Sequence, residues 1–209
     1  ITSSAAHKAF DLSHESDDLR DRFGRHEWGQ RAILARRLVE AGVPWVTVVM
    51  ENPYVSGIRM PDWGVYNWDS HAVNCHIFRD AEVRFPIYDQ VVSAMIEDLY
   101  DRGLDKRVML VVTGEFGRTP KINQNAGRDH YPRVNCCLLA GGGVKTGQVI
   151  GGTDKDGAAP DGETEIKPDD IAATLYHTLG IDPRTEYHTN TGRPVMLVPE
   201  GRVMTEVLA

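Results

Sequence analysis

Four side chains in two segments of this sequence have the chemistry of metal ligands. Asp69 and His71 form an Asp-x-His pair within an aromatic-rich segment, and His130 follows Asp129 further along the chain. A neutral imidazole beside a carboxylate is a common way to bind a divalent metal. Taken alone, the first pair is equally consistent with hydrogen-bonded surface groups. The second histidine, together with Glu115 at the end of an apolar run, favours a mixed oxygen and nitrogen ligand set.

This ligand set indicates which metal and which chemistry to expect. It suits zinc, manganese or iron better than calcium, because calcium prefers oxygen ligands alone. A metal bound there polarises an ester oxygen or lowers the pKa of a bound water. Arg118 and Arg128 are close to the same motifs in sequence, and a guanidinium binds an anionic group through forked hydrogen bonds. For Arg118, a structural pair with a nearby carboxylate is an equally good interpretation.

Composition excludes several classes of function. The chain has 209 residues, 41% hydrophobic and 25% charged, which fits a single α/β domain over residues 1–209. Its net charge of -7 argues against a nucleic-acid partner, because phosphate binding needs clustered Lys and Arg. Arg31, Arg36 and Arg37 lie among glutamates, which favours a solvated helix face. No apolar stretch is long enough to span a membrane, and three cysteines are too few for a disulfide framework.

The elements that position the candidate ligands follow from hydrophobic periodicity and from Gly and Pro. Helices are predicted over 17–41, 85–103 and 168–179, and buried strands over 43–50, 108–112, 134–140 and 148–150. Strand, helix and strand in succession indicate a βαβ unit, so the strands 43–50 and 108–112 are expected to be parallel neighbours in one sheet. Their carboxyl ends then open onto the same side, which brings the 68–71 and 114–118 loops within reach of each other.

Six motifs occur in the order found in one bacterial family. They are Phe10-Asp-Leu12, Leu34-Ala-Arg-Arg-Leu-Val-Glu-Ala-Gly-Val43, Trp68-Asp-Ser-His71, Gly114-Glu-Phe-Gly-Arg-Thr-Pro120, Gly127-Arg-Asp-His-Tyr-Pro132 and Ala140-Gly-Gly-Gly143. The chain resembles, over nearly its whole length, a sulfatase-like domain-of-unknown-function family, number fifteen hundred and one, of the alkaline phosphatase superfamily. That family is common in planctomycetes and its members look exported, which implies a periplasmic or otherwise exported protein.

The resemblance implies an alkaline-phosphatase-like α/β fold, with a mostly parallel sheet, helices on both faces and metal sites at the carboxyl edge. In that superfamily one metal is held by an Asp, a nearby His and a later His, which Asp69, His71 and His130 resemble in order. Another loop supplies an Asp-His pair to a second metal. Here that position reads Glu115-Phe116, and a phenylalanine cannot bind a metal. Zinc is the metal implied first, with manganese, calcium and magnesium as alternatives.

The implied function is a metal-dependent hydrolase of phosphate or sulfate esters, acting on a small anionic ester such as a sulfated glycan. The superfamily's nucleophile is expected on a strand upstream of Ile1, so the fold is expected to be incomplete, the chain to be the carboxyl-terminal portion of the domain, and the chain itself to be inactive. No catalytic residue is assigned within it. The alternative is a non-catalytic anion- or glycan-binding protein on the same scaffold. A phosphomutase-like transferase needs the same nucleophile, so the sequence does not separate it from a hydrolase.

Overall fold

Helices form the first half of the chain, and short paired strands are concentrated in the second. The structure is a computed structural model that describes residues 4–71, 75–162 and 165–209. The chain divides into two compact units. The first comprises Ile1–Leu104 and Arg118–Tyr131, and the second comprises Asp105–Gly117 and Pro132–Ala209.

The described residues of the first unit form four helices: α1 (Ser4–Ala9), α2 (Asp17–Phe23), α3 (Glu27–Glu40) and α4 (Ile77–Asp101). Its core lies where α2, α3 and α4 pack together, around the fully buried side chains of Phe23, Trp28, Ile33 and Val91. Burial of such large apolar side chains is the main driving force for packing these helices. Two short 3-10 turns, Leu12–His14 and Pro53–Ser56, and the short strand His130–Tyr131 also belong to this unit.

The single helix predicted over 17–41 is two helices, α2 and α3. The break falls at Gly24, whose φ of 93° is a conformation that other residues rarely adopt. His26 then begins α3 as its N-cap, and its Nδ1 accepts a hydrogen bond from the Gly29 N–H at 3.2 Å. Hydrophobic periodicity continues across the break, which is why the sequence pattern alone does not reveal it.

Helix α4 confirms the helix predicted over 85–103 but begins earlier, at Ile77. Proline fits best in the first turn of a helix, and Pro86 stands one residue after the predicted start. Here it lies inside the helix, whose buried face includes Ile87 and Val91. The helix ends at Asp101, and Gly103 follows with a φ of 65°. No described helix combines the length and the apolar character that a membrane span requires.

The predicted parallel sheet is wrong. The described residues form three two-stranded sheets: β1 (Met109–Thr113) with β4 (Cys137–Gly141), β2 (Gly117–Arg118) with β3 (His130–Tyr131), and β5 (Glu186–His188) with β6 (Pro194–Met196). The β1–β4 and β5–β6 pairs are antiparallel. The alkaline-phosphatase-like α/β fold, with its mostly parallel sheet and helices on both faces, therefore does not describe this chain.

The segment 43–50 explains why the βαβ prediction fails. It is not a strand, and no strand pairing involves it within the described part of the chain. Its side chains alternate between half-buried and exposed, and Trp45 and Val49 are each 58% exposed. The segment 148–150 is not a strand either, and Val149 is 95% exposed. An apolar run indicates extended chain but does not identify a pairing partner.

The second unit contains the β1–β4 and β5–β6 pairs and helix α5 (Pro168–Thr178). Strand β4 confirms the run predicted over 134–140, although it begins at Cys137. Helix α5 confirms the prediction over 168–179. The buried Asp170 carboxylate fixes its start by accepting hydrogen bonds from the backbone N–H groups of Lys167 at 2.9 Å and Arg202 at 2.8 Å. This contact ties the helix start to the segment that follows β6.

Candidate metal centre

Asp69, His71 and His130 converge in the first unit. Each offers one ligand atom, and the three atoms lie within 4.8 Å of one another. His71 Nδ1 hydrogen-bonds Asp69 Oδ1, and His130 Nε2 lies 3.2 Å from the same oxygen. The two imidazole rings are 5.0 Å apart between centres and inclined at 69°. Within the described ranges, these are the only residues grouped closely enough to hold a metal ion.

The three side chains offer donor types that suit a divalent-metal site. Two imidazoles and one carboxylate match the three protein ligands of hydrolytic zinc sites, which keep a fourth position open. Between 39% and 52% of each side chain is exposed, so a small molecule has access to the centre.

Asp69 has the protonation state that metal binding requires. Partial burial alone would raise the pKa of its carboxyl group, but hydrogen bonds from His71 and His130 and the nearby charge of Arg118 outweigh burial and lower that pKa. The carboxylate is therefore ionised throughout the neutral range, and an ionised carboxylate is the metal-binding form.

The residue before Asp69, Trp68, packs against the helical core. The Trp68 indole stacks on Trp28, with ring centres 5.7 Å apart and planes inclined at 22°. The Trp68 and Tyr88 rings are nearly perpendicular, with ring centres 6.0 Å apart. The indole N–H donates to the Met50 carbonyl at 2.5 Å. These contacts fix the backbone from which the Asp69 carboxylate projects.

A buried ion pair on α4 holds the loop that leads to Asp69. Arg84 is 1% exposed, and its Nε donates to Asp80 Oδ2 at 2.8 Å. The guanidinium also donates to the backbone carbonyl of Glu51 at 2.8 Å and to that of Val65, and it lies 4.9 Å from the Trp68 ring centre. Because the contacts that Arg84 makes beyond α4 end on the 51–68 loop, the pair positions Trp68.

Sequence reasoning missed Asp80 and Arg84, although the sequence contains a signal for them. The two residues are four positions apart in a helix, where side chains share a face, and the same face continues through the buried Ile87 and Val91. Charged residues on an apolar helix face are rarely buried unless they are paired. An acidic and a basic residue at this spacing on such a face therefore indicate a buried pair.

The turn before His130 holds the other side of the centre. Asn123 Nδ2 donates to the His71 carbonyl at 2.9 Å, and the Arg128 N–H donates to the Ser70 carbonyl at 2.8 Å. Gly127 lies so close to this loop that a Cβ there would be 2.8 Å from the Ser70 carbonyl oxygen. Asp129 accepts a hydrogen bond from Asn123 Nδ2 at 3.3 Å.

Of the other predicted site residues, Arg118 contacts the candidate centre, Arg128 contacts backbone carbonyls, and Glu115 is not in the ligand group. Arg118 Nη2 lies 3.4 Å from Asp69 Oδ1 and donates to the Trp68 carbonyl at 2.5 Å, so it pairs with a ligand of the centre. The Arg128 guanidinium donates to the carbonyl of Arg118 at 3.2 Å and to that of Thr119. Glu115 belongs to the second unit and is not in the ligand group.

The carboxylate of Asp69 and the imidazoles of His71 and His130 give the helical unit a candidate divalent-metal centre. The chain belongs to the family described as "protein of unknown function (DUF1501)", whose model matches residues 2–208. The family prediction from the six motifs is therefore confirmed. Comparison with curated proteins and with solved structures found no match.

Proposed function

We propose that this protein is a metal-dependent hydrolase of phosphate or sulfate esters, with zinc held by Asp69, His71 and His130. The observation that carries the proposal is the convergence of one carboxylate and two imidazoles within 4.8 Å on an exposed surface. Three ligands leave room at zinc for a substrate or a water, which is the arrangement that catalytic zinc sites use. The two-histidine and one-carboxylate set favours zinc over calcium and magnesium, which prefer oxygen ligands.

The residues around the triad have separate roles in this proposal. Zinc bound there supplies Lewis acidity and a water of lowered pKa. Asp69 binds the metal as an ionised carboxylate, and Arg118 orients it through their 3.4 Å contact. The positive charge of Arg118 also favours an anionic ester beside the centre. Arg128 supports the turn that carries His130 through its backbone contacts, and its charge adds to the attraction.

The partner class follows from the same charges. A small anionic ester fits an exposed centre beside two arginines, whereas the net charge of -7 disfavours nucleic acid. A periplasmic or otherwise exported location is part of the proposal and rests on the family resemblance alone.

The second candidate is a non-catalytic anion- or glycan-binding protein. Phe116 favours it, because this residue stands where the resemblance calls for a histidine ligand to a second metal, and its side chain cannot take that role. A centre with one metal and a nearby arginine is sufficient for anion binding without turnover.

Metal analysis and a substrate panel test the proposal. We expect the full-length protein to bind one zinc and to hydrolyse 4-nitrophenyl phosphate or 4-nitrocatechol sulfate, and we expect His71→Ala to lose both properties. His188→Ala is the matched control, because His188 pairs with Glu186 at the same two-residue spacing and is 63% exposed, outside the ligand group. Absence of metal and turnover in the wild type overturns the proposal. Saturable anion binding without turnover supports the second candidate instead.

A further inference from the structure

The first unit contains a cavity that is separate from the three metal ligands. Its volume is about 360 Å³, and it is lined by Trp63, Cys75, His76, Arg79 and Asn125. None of the three metal ligands lines it. Small-molecule sites have volumes of about 300–1,000 Å³ and combine an apolar wall with a few polar groups, which matches this cavity.

Trp63 forms the apolar wall in a strained conformation. Its φ is 65°, and it is the third residue of a turn in which the Gly64 N–H donates to the Pro61 carbonyl at 2.9 Å. A positive φ at that position favours glycine or asparagine. The Trp63 side chain is 62% exposed, so burial does not offset the strain. A bulky residue held in an unfavourable conformation is typical of functional sites.

Hydrogen-bonding groups line the rest of the cavity. His76 Nδ1 is buried and has no hydrogen-bond partner in the described part of the chain. Arg79 is exposed, and it forms no ion pair with the described part of the chain. Asn125 adds an amide, which both donates and accepts. Since buried polar atoms are nearly always hydrogen-bonded, a ligand that supplies a hydroxyl group or a carboxylate satisfies these groups.

We propose that this cavity binds the ring of an anionic sugar. One face of a pyranose is made of C–H groups and packs on an indole, while its edge carries hydroxyl groups for His76 and Asn125. Arg79 selects a sugar with a carboxylate or sulfate group.

One turn connects this cavity to the metal centre. Asn125 lines the cavity, and the neighbouring Ala126 carbonyl accepts a hydrogen bond from the Ile77 N–H at 2.8 Å. Asn123 of the same turn holds the His71 carbonyl. The inference rests on the proposed function and makes its substrate more specific. The alcohol part of the ester is an anionic sugar, which Trp63 holds while the metal acts on the ester.

Saturation-transfer NMR on the full-length protein tests sugar binding without any turnover. The probes are methyl glucuronide and methyl glucoside, which differ by one carboxylate. We expect saturable transfer to the glucuronide and at least about tenfold weaker binding of the glucoside. Trp63→Asn is expected to weaken glucuronide binding by at least about tenfold while the unfolding temperature stays the same or rises, because asparagine tolerates a positive φ.

Further variants separate this site from the metal centre and from general surface effects. Arg79→Gln should weaken the glucuronide alone, whereas the controls Tyr66→Asn and Arg59→Gln, which do not line the cavity, should change nothing. His71→Ala should keep glucuronide binding, so a failed metal centre is distinguishable from a failed sugar site. Absence of saturable transfer, or full binding by Trp63→Asn, overturns the inference. Equal binding of both sugars overturns the role of Arg79.

Discussion

Trp68 stacks on Trp28 with ring centres 5.7 Å apart, one residue before the candidate ligand Asp69. Trp28 is fully buried in the helical core. The exposed candidate ligand Asp69 therefore follows a residue, Trp68, whose side chain is fixed against the most buried part of the unit. Ligands are held precisely only when the residues that support them are locked by packing, so core and centre are expected to respond together to mutation.

Replacing Arg84 with Met tests the coupling between the buried ion pair and the centre. Removal of one partner leaves Asp80 as a buried charge, which costs about 3–5 kcal/mol of unfolding free energy. It also releases the 51–68 loop, so zinc affinity is expected to fall about 10–100-fold. Urea unfolding and zinc titration measure the two effects. The double variant Asp80→Asn/Arg84→Met should recover part of the stability, and failure to recover any contradicts the buried-charge explanation.

Gly127→Ala tests how closely the turn must approach the Asp69–His71 loop. The added Cβ would lie 2.8 Å from the Ser70 carbonyl oxygen and 3.0 Å from the His71 carbonyl carbon. Because the opposing atoms are backbone, the loop must shift, and zinc affinity should fall about 10–100-fold. Gly114→Ala is the control, since its nearest neighbour is 3.7 Å away. Equal zinc affinities for the two variants would show that this contact does not position His71.

Neutral His26 is expected to stabilise the protein in a pH-dependent way. Burial lowers the pKa of its imidazole below the ordinary value of 6.5, and the hydrogen bond to Gln90 only partly opposes this shift. Gln90 Nε2 donates to the carbonyls of Asp21 and Arg22, so its oxygen faces His26 Nε2–H. His26 Nδ1 thereby stays available to cap α3.

The direction in which the free energy of unfolding changes with pH follows from the lowered pKa of His26. The contribution of His26 is complete above pH 6.5 and is lost as the pH falls through the folded-state pKa, because the unfolded chain binds the proton more readily. The free energy of unfolding, measured by urea titration between pH 8 and pH 5, should fall with acid. The variant His26→Asn caps without titrating, so its curve should be flatter. Parallel curves for the two proteins would exclude His26 as the source.

The sequence identified the three residues of the candidate metal centre because their chemistry is visible in residue type and order. Asp69, His71 and His130 are recognisable without knowing which segments pair. The sheet was not predictable in the same way, since the apolar run 43–50 looks the same whether or not a neighbouring strand pairs with it. Local patterns report periodicity, whereas strand pairing depends on residues far away in sequence.

Arg36 shows the same limit for charged residues. Glutamates near it in sequence suggest a solvated helix face, but its side chain is only 5% exposed. Its partners include Glu15 at 2.7 Å and Asp98 at 3.2 Å, which lie on other elements of the first unit. A pattern within one helix contains no information about such distant partners.

Glu15→Gln tests this buried network and its dependence on pH. Burial would raise the pKa of the Glu15 carboxyl, but hydrogen bonds from Arg37 and Arg36 lower it below 4.5 overall. Its contribution is therefore present above pH 4.5 and is lost as the pH falls through the folded-state pKa. At pH 7 the variant should lose about 3 kcal/mol of unfolding free energy, and below pH 4.5 its stability should fall less steeply than that of the wild type.

Glu97→Gln is the matched control, because the exposed Glu97–Arg22 pair is worth about 1 kcal/mol or less. Urea unfolding at pH 7 and pH 4 gives both values, and equal losses in the two variants would mean that burial of the Glu15 network adds nothing to its strength.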